Sequence, residues 1–294
     1  MRPVSVPSPA TLGLTRPTAA EDLSRLEWDN PESLELLWTL AGTGDPDMAL
    51  NTLMRIFEGA PEIGPAMRED ETLRVRLLAL LGGSSAFGDH LAAHPETWQE
   101  LQRPLPTPTE MLNTLLDEVG AEPATYAEQP DRPDTANPEL TSPGTYRASP
   151  GDHKASLKVA YRTLMMRIAA HDLAGTFHSR KGQSRPQPRV GFREVTRLTT
   201  ALADAALTAA LAGAVRVVYG DEPLDAQLAV VAMGKCGAGE LNYISDVDVI
   251  FVGSEATPKV TRLASEFNRI GSACFFEVDA NPVSYTHLTL PTID

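Results

Sequence analysis

The sequence predicts an α+β chain, an all-helical N-terminal region followed by a small mixed sheet with flanking helices. Three observations carry this. Between Glu21 and Trp98, apolar residues recur at three-to-four spacing, which places them on the buried faces of successive amphipathic helices. Leu228–Met233 and Val249–Val252 are short, β-branched apolar runs bounded by glycines and carboxylates, the length and content of buried strands. After them, Val260, Leu263, Ala264, Phe267 and Ile270 keep a period of 3.6, and Phe275–Asp279 reads as a further strand. The C-terminal part is therefore strand, turn, strand, helix, strand.

Composition narrows the class. The chain has 294 residues, 42% of them hydrophobic, with 39 acidic against 25 basic residues and a net charge of -14. That is ample for two domains with buried cores. The acidic balance argues against non-specific nucleic-acid binding, since phosphate backbones select basic faces, and fits a protein partner. The two cysteines, Cys236 and Cys274, cannot build a disulfide framework and read as buried free thiols in a reducing cytoplasm. No apolar run reads as a membrane span, and Met1–Pro17 lacks the charged start and apolar core of a signal peptide.

Residues 1–20 are rich in Pro, Ser and Thr and read as a mobile arm. A helical domain follows over residues 21–102. Asn30-Pro31-Glu32 opens a helix carrying Leu34, Leu36, Leu37 and Leu40, and Asp45-Pro46-Asp47 opens one carrying Ala49, Leu50, Leu53, Met54 and Phe57. A third, Leu73–Leu81, ends at Gly82-Gly83, and a fourth, Phe87–Leu91, closes at His94-Pro95. Nine prolines between Pro104 and Pro150 mark residues 103–152 as an extended linker, with one helical stretch at Glu110–Val119. Helicity resumes at Asp152 with the stripe Leu157, Tyr161, Leu164, Met165 and Ile168. His171 and Asp172 are adjacent on that helix and do not face each other, so they read as an amphipathic edge rather than a catalytic pair. Residues 176–192 form a basic loop, and Arg193–Val218 a long Ala/Leu helix.

The stretch that carries chemistry is Gly234-Lys235-Cys236-Gly237-Ala238-Gly239-Glu240-Leu241-Asn242-Tyr243-Ile244-Ser245-Asp246-Val247-Asp248-Val249-Ile250-Phe251. Side chains alternate along a strand, so Asp246 and Asp248 project from one face, one pleat apart. Two carboxylates that close repel each other unless a cation lies between them. Oxygen-only ligation suits Mg²⁺, which fills its shell with water and substrate phosphates. A glycine turn beside them lets backbone approach phosphate, and metal plus phosphate points to phosphoryl or nucleotidyl transfer.

This stretch resembles the signature of the glutamine synthetase adenylyltransferase/adenylyl-removing enzymes, Gly-Met-Gly-Lys-Leu-Gly-Gly-x-Glu-Leu-Asn-x-x-Ser-Asp-(Ile/Val)-Asp-Leu-Ile-Phe. Cys236 stands where the family often has Leu, and Ala238 where it often has Gly. The Leu-Gly-Gly-Ser-Ser segment from Leu81 and the Arg167–Gly175 helix end are similar to the same family. The resemblance runs from about residue 21 to residue 281.

The resemblance implies a polymerase-β-type nucleotidyltransferase core over residues 153–281. It implies Asp246, Asp248 and Asp279 as catalytic carboxylates binding two Mg²⁺ ions, Asp279 lying in Phe276-Glu277-Val278-Asp279-Ala280-Asn281. Gly237, Ala238 and Gly239 would border the phosphates through backbone N–H groups. Ser245 and Lys235 would add phosphate contacts, with Glu240 and Asn242 holding the loop's shape. The implied function is removal of AMP from an adenylylated tyrosine of glutamine synthetase by phosphorolysis, with ATP/ADP and phosphate as substrates. The implied setting is a bifunctional cytoplasmic enzyme regulating nitrogen assimilation. Adenylylation and its reversal use the same carboxylates, so the direction of transfer stays open. The alternative from another class is a catalytically dead helical module that binds glutamine synthetase or a PII-type signal protein. Pro282–Asp294 matches neither the family nor a helical continuation and reads as a foreign tail on a truncated chain.

Overall fold

The computed structural model describes residues 5–127, 145–177, 188–253 and 257–280. The tail Pro282–Asp294, most of the basic loop and the middle of the proline-rich stretch lie outside the described residues. The chain divides into two compact units, residues 1–106 with 162–195, and residues 107–161 with 196–294.

The elements in chain order are α1 (Ala19–Arg25), α2 (Leu34–Ala41), α3 (Pro46–Gly59), α4 (Ile63–Glu69), α5 (Glu71–Leu81), α6 (Ser85–Ala93) and α7 (Pro108–Glu118). They continue with β1 (Glu122–Pro123), β2 (Tyr146–Arg147), α8 (Lys154–Thr176), α9 (Phe192–Tyr219), β3 (Leu228–Ala232), α10 (Gly234–Gly237), β4 (Val247–Gly253), α11 (Pro258–Cys274) and β5 (Val278–Ala280). The α+β class read from the sequence is the class observed.

The starts of several helices share one device. Asn30, Asp45, Thr107 and Thr257 each cap a helical segment whose first residue is proline, and their side-chain oxygens accept backbone N–H bonds from Glu32, Met48, Glu110 and Val260 at 2.9–3.2 Å. The cap satisfies an orphan donor, and proline at that position gives up an N–H that had no partner.

In the first unit, α2, α3 and α5 pack around Leu37, Leu40, Leu50, Leu53, Ile56, Leu77 and Leu80, all fully buried, with Met166, Ala169 and Ala170 of α8 completing the core. Within the mobile arm expected over residues 1–20, Leu12 and Leu14 are anchored instead. Leu12, Leu14 and Trp28 join the same core, and Thr15 is clamped to Asp47, its hydroxyl donating to Oδ2 at 2.5 Å and its N–H at 2.9 Å. Two well-spaced leucines sufficed to hold a segment whose proline and serine content suggested otherwise. His171 is structural, its Nε2 bonding the Arg103 carbonyl at 3.0 Å. Nearby, the buried Arg167 guanidinium bonds the Pro104 carbonyl and Glu100.

In the second unit, a three-stranded sheet runs in the order β3-β4-β5. β3 pairs antiparallel with β4, and β4 pairs parallel with β5, the parallel pair being joined across the sheet by α11. Val247 and Val249 are buried on one face, where Phe251 meets Phe267 of α11 edge-on at 5.5 Å.

The ends of the proline-rich stretch also fold into this unit. Met111 and Leu115 of α7 are buried, β1 pairs with β2, and the Ala148 N–H donates to the Ala212 carbonyl at 3.0 Å. Only α7 was readable there as structure, because paired segments of two residues leave no periodicity to detect. α9 is long and apolar enough by length and composition to cross a membrane, contrary to the sequence expectation that no such run exists. More than half of that window is buried in the chain's own fold. The alanines between Ala201 and Ala214 supply the apolar content, and small side chains let neighbouring elements approach closely.

Candidate functional site

β4 is the central strand of the sheet, and the site forms at its N-terminal end. Asp246 immediately precedes the strand and Asp248 is its second residue; both are exposed, while Val247 between them is buried. The two carboxylates therefore leave the chain on the face opposite the Val247–Val249 core, as alternation requires. Asp279 of β5 is the Cα partner of Asp248 in the parallel register, which sets the two positions on adjacent strands about 4.8 Å apart. All three acidic positions thus converge in the backbone. Among the described residues, no three His, Cys, Asp or Glu side chains form a metal-holding group, and the Asp279 side chain lies outside that description.

The segment between β3 and β4 brings Lys235 and Ser245 beside Asp246. These three, with Asn242, Tyr243 and Ile244, line an open cleft of about 300 Å³. Asn242 organises its rim, Oδ1 accepting the Ile244 N–H at 3.1 Å and the Ser245 hydroxyl at 2.8 Å. This is an Asx turn and gives Asn242 the shape-holding role read from the sequence. Thr199 and Thr200 of α9 anchor the loop from beneath. The Thr199 hydroxyl donates to the Leu241 carbonyl at 2.6 Å, and the Thr200 hydroxyl accepts the Leu241 N–H at 3.2 Å. These two threonines sit in an Ala/Leu helix about forty residues upstream, and no local pattern points to them.

Gly237, Ala238 and Gly239 do not line the cleft, and their N–H groups are committed. The glycine segment is one helical turn, in which Gly237, Ala238 and Gly239 donate to the carbonyls of Met233, Gly234 and Cys236 at 3.0–3.1 Å. The expectation that these three N–H groups border phosphate is corrected by that pairing. What the segment contributes is absence of bulk. A Cβ on Gly237 would stand 2.5 Å from the Ala232 carbonyl oxygen. Gly234, at φ 54°, lies against Asp248, where a Cβ would stand 3.0 Å from Oδ2.

Cys236 is buried inside the turn, and burial, then the nearby Asp204, pushes its thiol up to about 12. It is a packing residue at neutral pH, because the thiolate is the reactive form. Asp204 of α9 keeps an exposed edge, yet desolvation of its carboxyl pushes it up to about 6. Both cysteines are free.

Residues 75–272 match the family model for glutamate-ammonia ligase adenylyltransferase. The chain belongs to that family. It is 52% identical to the bifunctional glutamine synthetase adenylyltransferase/adenylyl-removing enzyme of Corynebacterium efficiens, 47% to that of Nocardia farcinica and 39% to that of Mycobacterium tuberculosis. Each match covers 94% of this chain but only 28%, 26% and 25% of the respective relative. The chain thus spans about a quarter of the length of these adenylyltransferase relatives, and the matched family domain takes in α9, the helical glycine turn, β4 with both carboxylates, and most of α11.

Proposed function

We propose that this chain is the adenylyl-removing nucleotidyltransferase part of a glutamine synthetase adenylyltransferase/adenylyl-removing enzyme, with β3–α10–β4–α11–β5 as a polymerase-β-type core. The observation that carries the reading is the backbone convergence of Asp246, Asp248 and Asp279 at one end of the sheet, the first two lying in the segment that matches the family model.

The residues fit a divalent cation. Asp246 and Asp248 offer exposed, oxygen-only donors on one face, and the missing Cβ of Gly234 leaves open the space beside Asp248 Oδ2. Bound Mg²⁺ would orient the phosphates and offset charge developing in the transition state.

The chain's own groups divide the remaining work. Lys235 lines the cleft with Asp246 and would offer its ammonium to a phosphate as a point charge. Ser245, fixed by Asn242, presents a hydroxyl on the same wall. The glycine turn keeps side chains out of the approach to Asp248. In the reaction, an oxygen of inorganic phosphate forms a bond to the α-phosphorus as the bond from that phosphorus to the tyrosyl oxygen breaks. The products are ADP and a tyrosine phenolate that takes a proton from solvent. The substrate is adenylylated glutamine synthetase, and the setting is the cytoplasm, where buried free thiols persist.

Calorimetric titration of the chain with ADP and Mn²⁺ tests the site. Binding that falls at least 100-fold in Asp246→Asn and Asp248→Asn is expected. No binding by the folded, unsubstituted chain would sink the reading. ADP formation from adenylylated glutamine synthetase and phosphate then tests the direction.

A further inference from the structure

The turn leading into α8 closes a cavity of about 270 Å³ within the second unit, walled by α9 and α11. Val119, Ala148, Leu157 and Ile270, all buried, give it an apolar floor. Gly213 lets α9 and α11 come together there, since a Cβ would stand 3.0 Å from Ile270 Cδ1. Above the floor, the lining carries three cations, Lys154, Arg216 and Arg269, against one carboxylate, Asp152. That local excess runs against the chain's net charge of -14.

The two arginines are fixed by one edge and open on the other. Arg216 donates from Nε to the Ala148 carbonyl and from Nη1 to Asp221, both at 2.6 Å. Arg269 is held by Glu266, which takes Nε at 2.8 Å and Nη2 at 2.6 Å. Among the described residues, Arg216 Nη2 and Arg269 Nη1 make no bond, and Lys154 Nζ meets only Asp152, at 3.7 Å. The first residues of α8, a helix of 23 residues, add the positive end of its dipole. Arg216 also lines an adjoining cavity of about 360 Å³ with Arg147, whose Nε is buried with no partner among the described residues. A buried donor left open is ordinarily met by water or an ion, so the surplus of donors extends to both sides of Arg216.

We propose that the cavity beside Arg216 binds a small organic anion, a carboxylate or phosphate carried on a compact apolar group. Pre-oriented guanidinium edges suit either anion. An uncharged ligand would leave the cations without a counter-charge, and a bare inorganic ion would leave the apolar floor unused. The volume falls just below the usual range of ligand pockets, which sets the limit on size. This site is separate from the carboxylate cleft. None of the residues lining that cleft lines the cavity, and Arg216 stands sixteen residues beyond Thr200 on α9, about 24 Å along the helix.

Phenyl phosphate, benzoate and inorganic phosphate are titrated into the chain by calorimetry, in EDTA and without nucleotide. At least one aromatic anion is expected to bind tenfold or more tightly than inorganic phosphate, and the tighter of the two assigns the anionic group. Arg269→Gln and Lys154→Gln remove side chains whose ion pairs lie within one helical turn, so the fold does not depend on them. Each is expected to weaken that binding at least fivefold, while Lys235→Gln in the carboxylate cleft leaves it within twofold. Absence of binding by the folded chain overturns the proposal, as does inorganic phosphate binding equally well. Unchanged affinity in both cavity variants also overturns it, and so does an equal loss in Lys235→Gln, which would place the probe in the carboxylate cleft.

Discussion

Gly234 sits against the carboxylate of Asp248 so closely that a Cβ would stand 3.0 Å from Oδ2, and it does so at a φ of 54°. Fourteen residues apart in sequence, the two are joined by the antiparallel register of β3 and β4. Gly234→Ala therefore has two effects. Left-handed backbone at an alanine costs about 1–2 kcal/mol, and the methyl group displaces the carboxylate. A lower melting temperature together with at least tenfold weaker Mn²⁺-dependent ADP binding is the expected outcome. Retained affinity would show that Asp248 can move without consequence.

Gly237→Ala separates stability from binding at the same turn. Its Cβ would stand 2.5 Å from the Ala232 carbonyl oxygen, a contact that backbone must move to relieve, on the order of 1–3 kcal/mol. The side chain does not reach Asp248. Denaturant melts should show the loss, while ADP binding in the folded fraction stays within a few-fold. A stable Gly237→Ala variant would contradict the close approach.

How much of this was legible is clearest around β4. The alternation Asp246-Val247-Asp248-Val249 fixed which face each residue takes, because a strand's period of two leaves no freedom. The helix starts at Asn30 and Asp45 were legible because Asn-Pro and Asp-Pro state their geometry locally. The glycine segment read as an open turn, since Gly234, Gly237 and Gly239 weaken any helical expectation. The surrounding strands close it into a helical turn all the same. The Thr199 and Thr200 bonds to Leu241 depend on elements some forty residues apart, and Leu12 reaches the core through tertiary packing alone. Neither leaves a local signature.

Those threonines yield a stability prediction. Thr199 is fully buried and its hydroxyl holds the Leu241 carbonyl at 2.6 Å. Thr199→Val keeps the shape and removes the donor, leaving a buried acceptor unsatisfied at a cost of about 1–3 kcal/mol. The loop from Glu240 to Ser245 loses an anchor, so faster amide exchange at Leu241–Ser245 is expected as well. Unchanged exchange would mean that the Thr200 bond suffices.

His90 makes the first unit sensitive to acid. It is buried on α6, bonded to Thr163 at 3.0 Å, with the His94 ring tilted against it at 5.2 Å. Burial, then the neighbouring His94 and Arg162, push its imidazole from 6.5 down to about 4, with Glu96 opposing. The unfolded chain protonates near 6.5 and the folded chain only near 4, so the folded state binds fewer protons in between. Stability is complete above 6.5 and falls as the pH drops towards 4, by about 3 kcal/mol at the limit. Urea melts at pH 7 and pH 5 should show the loss in the unsubstituted chain and a flatter profile in His90→Gln. Equal profiles would assign the acid sensitivity elsewhere.

Asp47 ties Thr15 and Arg16 to α3 through a charged group. Desolvation works to raise its carboxyl, but the Thr15 hydroxyl, the Thr15 and Arg16 N–H groups and the Arg16 charge outweigh it and hold the group below 3.8. A carboxylate depressed in the folded state contributes stability that is complete above 3.8 and fades as the pH falls through the folded value. The site is partly exposed, so the contribution is about 1 kcal/mol after solvent screening. Asp47→Ala removes three hydrogen bonds from Thr15 and one from Arg16, while Leu12 and Leu14 keep their apolar anchorage. Local opening should therefore outpace global loss. Thermolysin should cut ahead of Leu14 several-fold faster in the variant at pH 7, with the main unfolding midpoint lowered only slightly. A cleavage rate equal to that of the unsubstituted chain would show that the two leucines alone hold the segment.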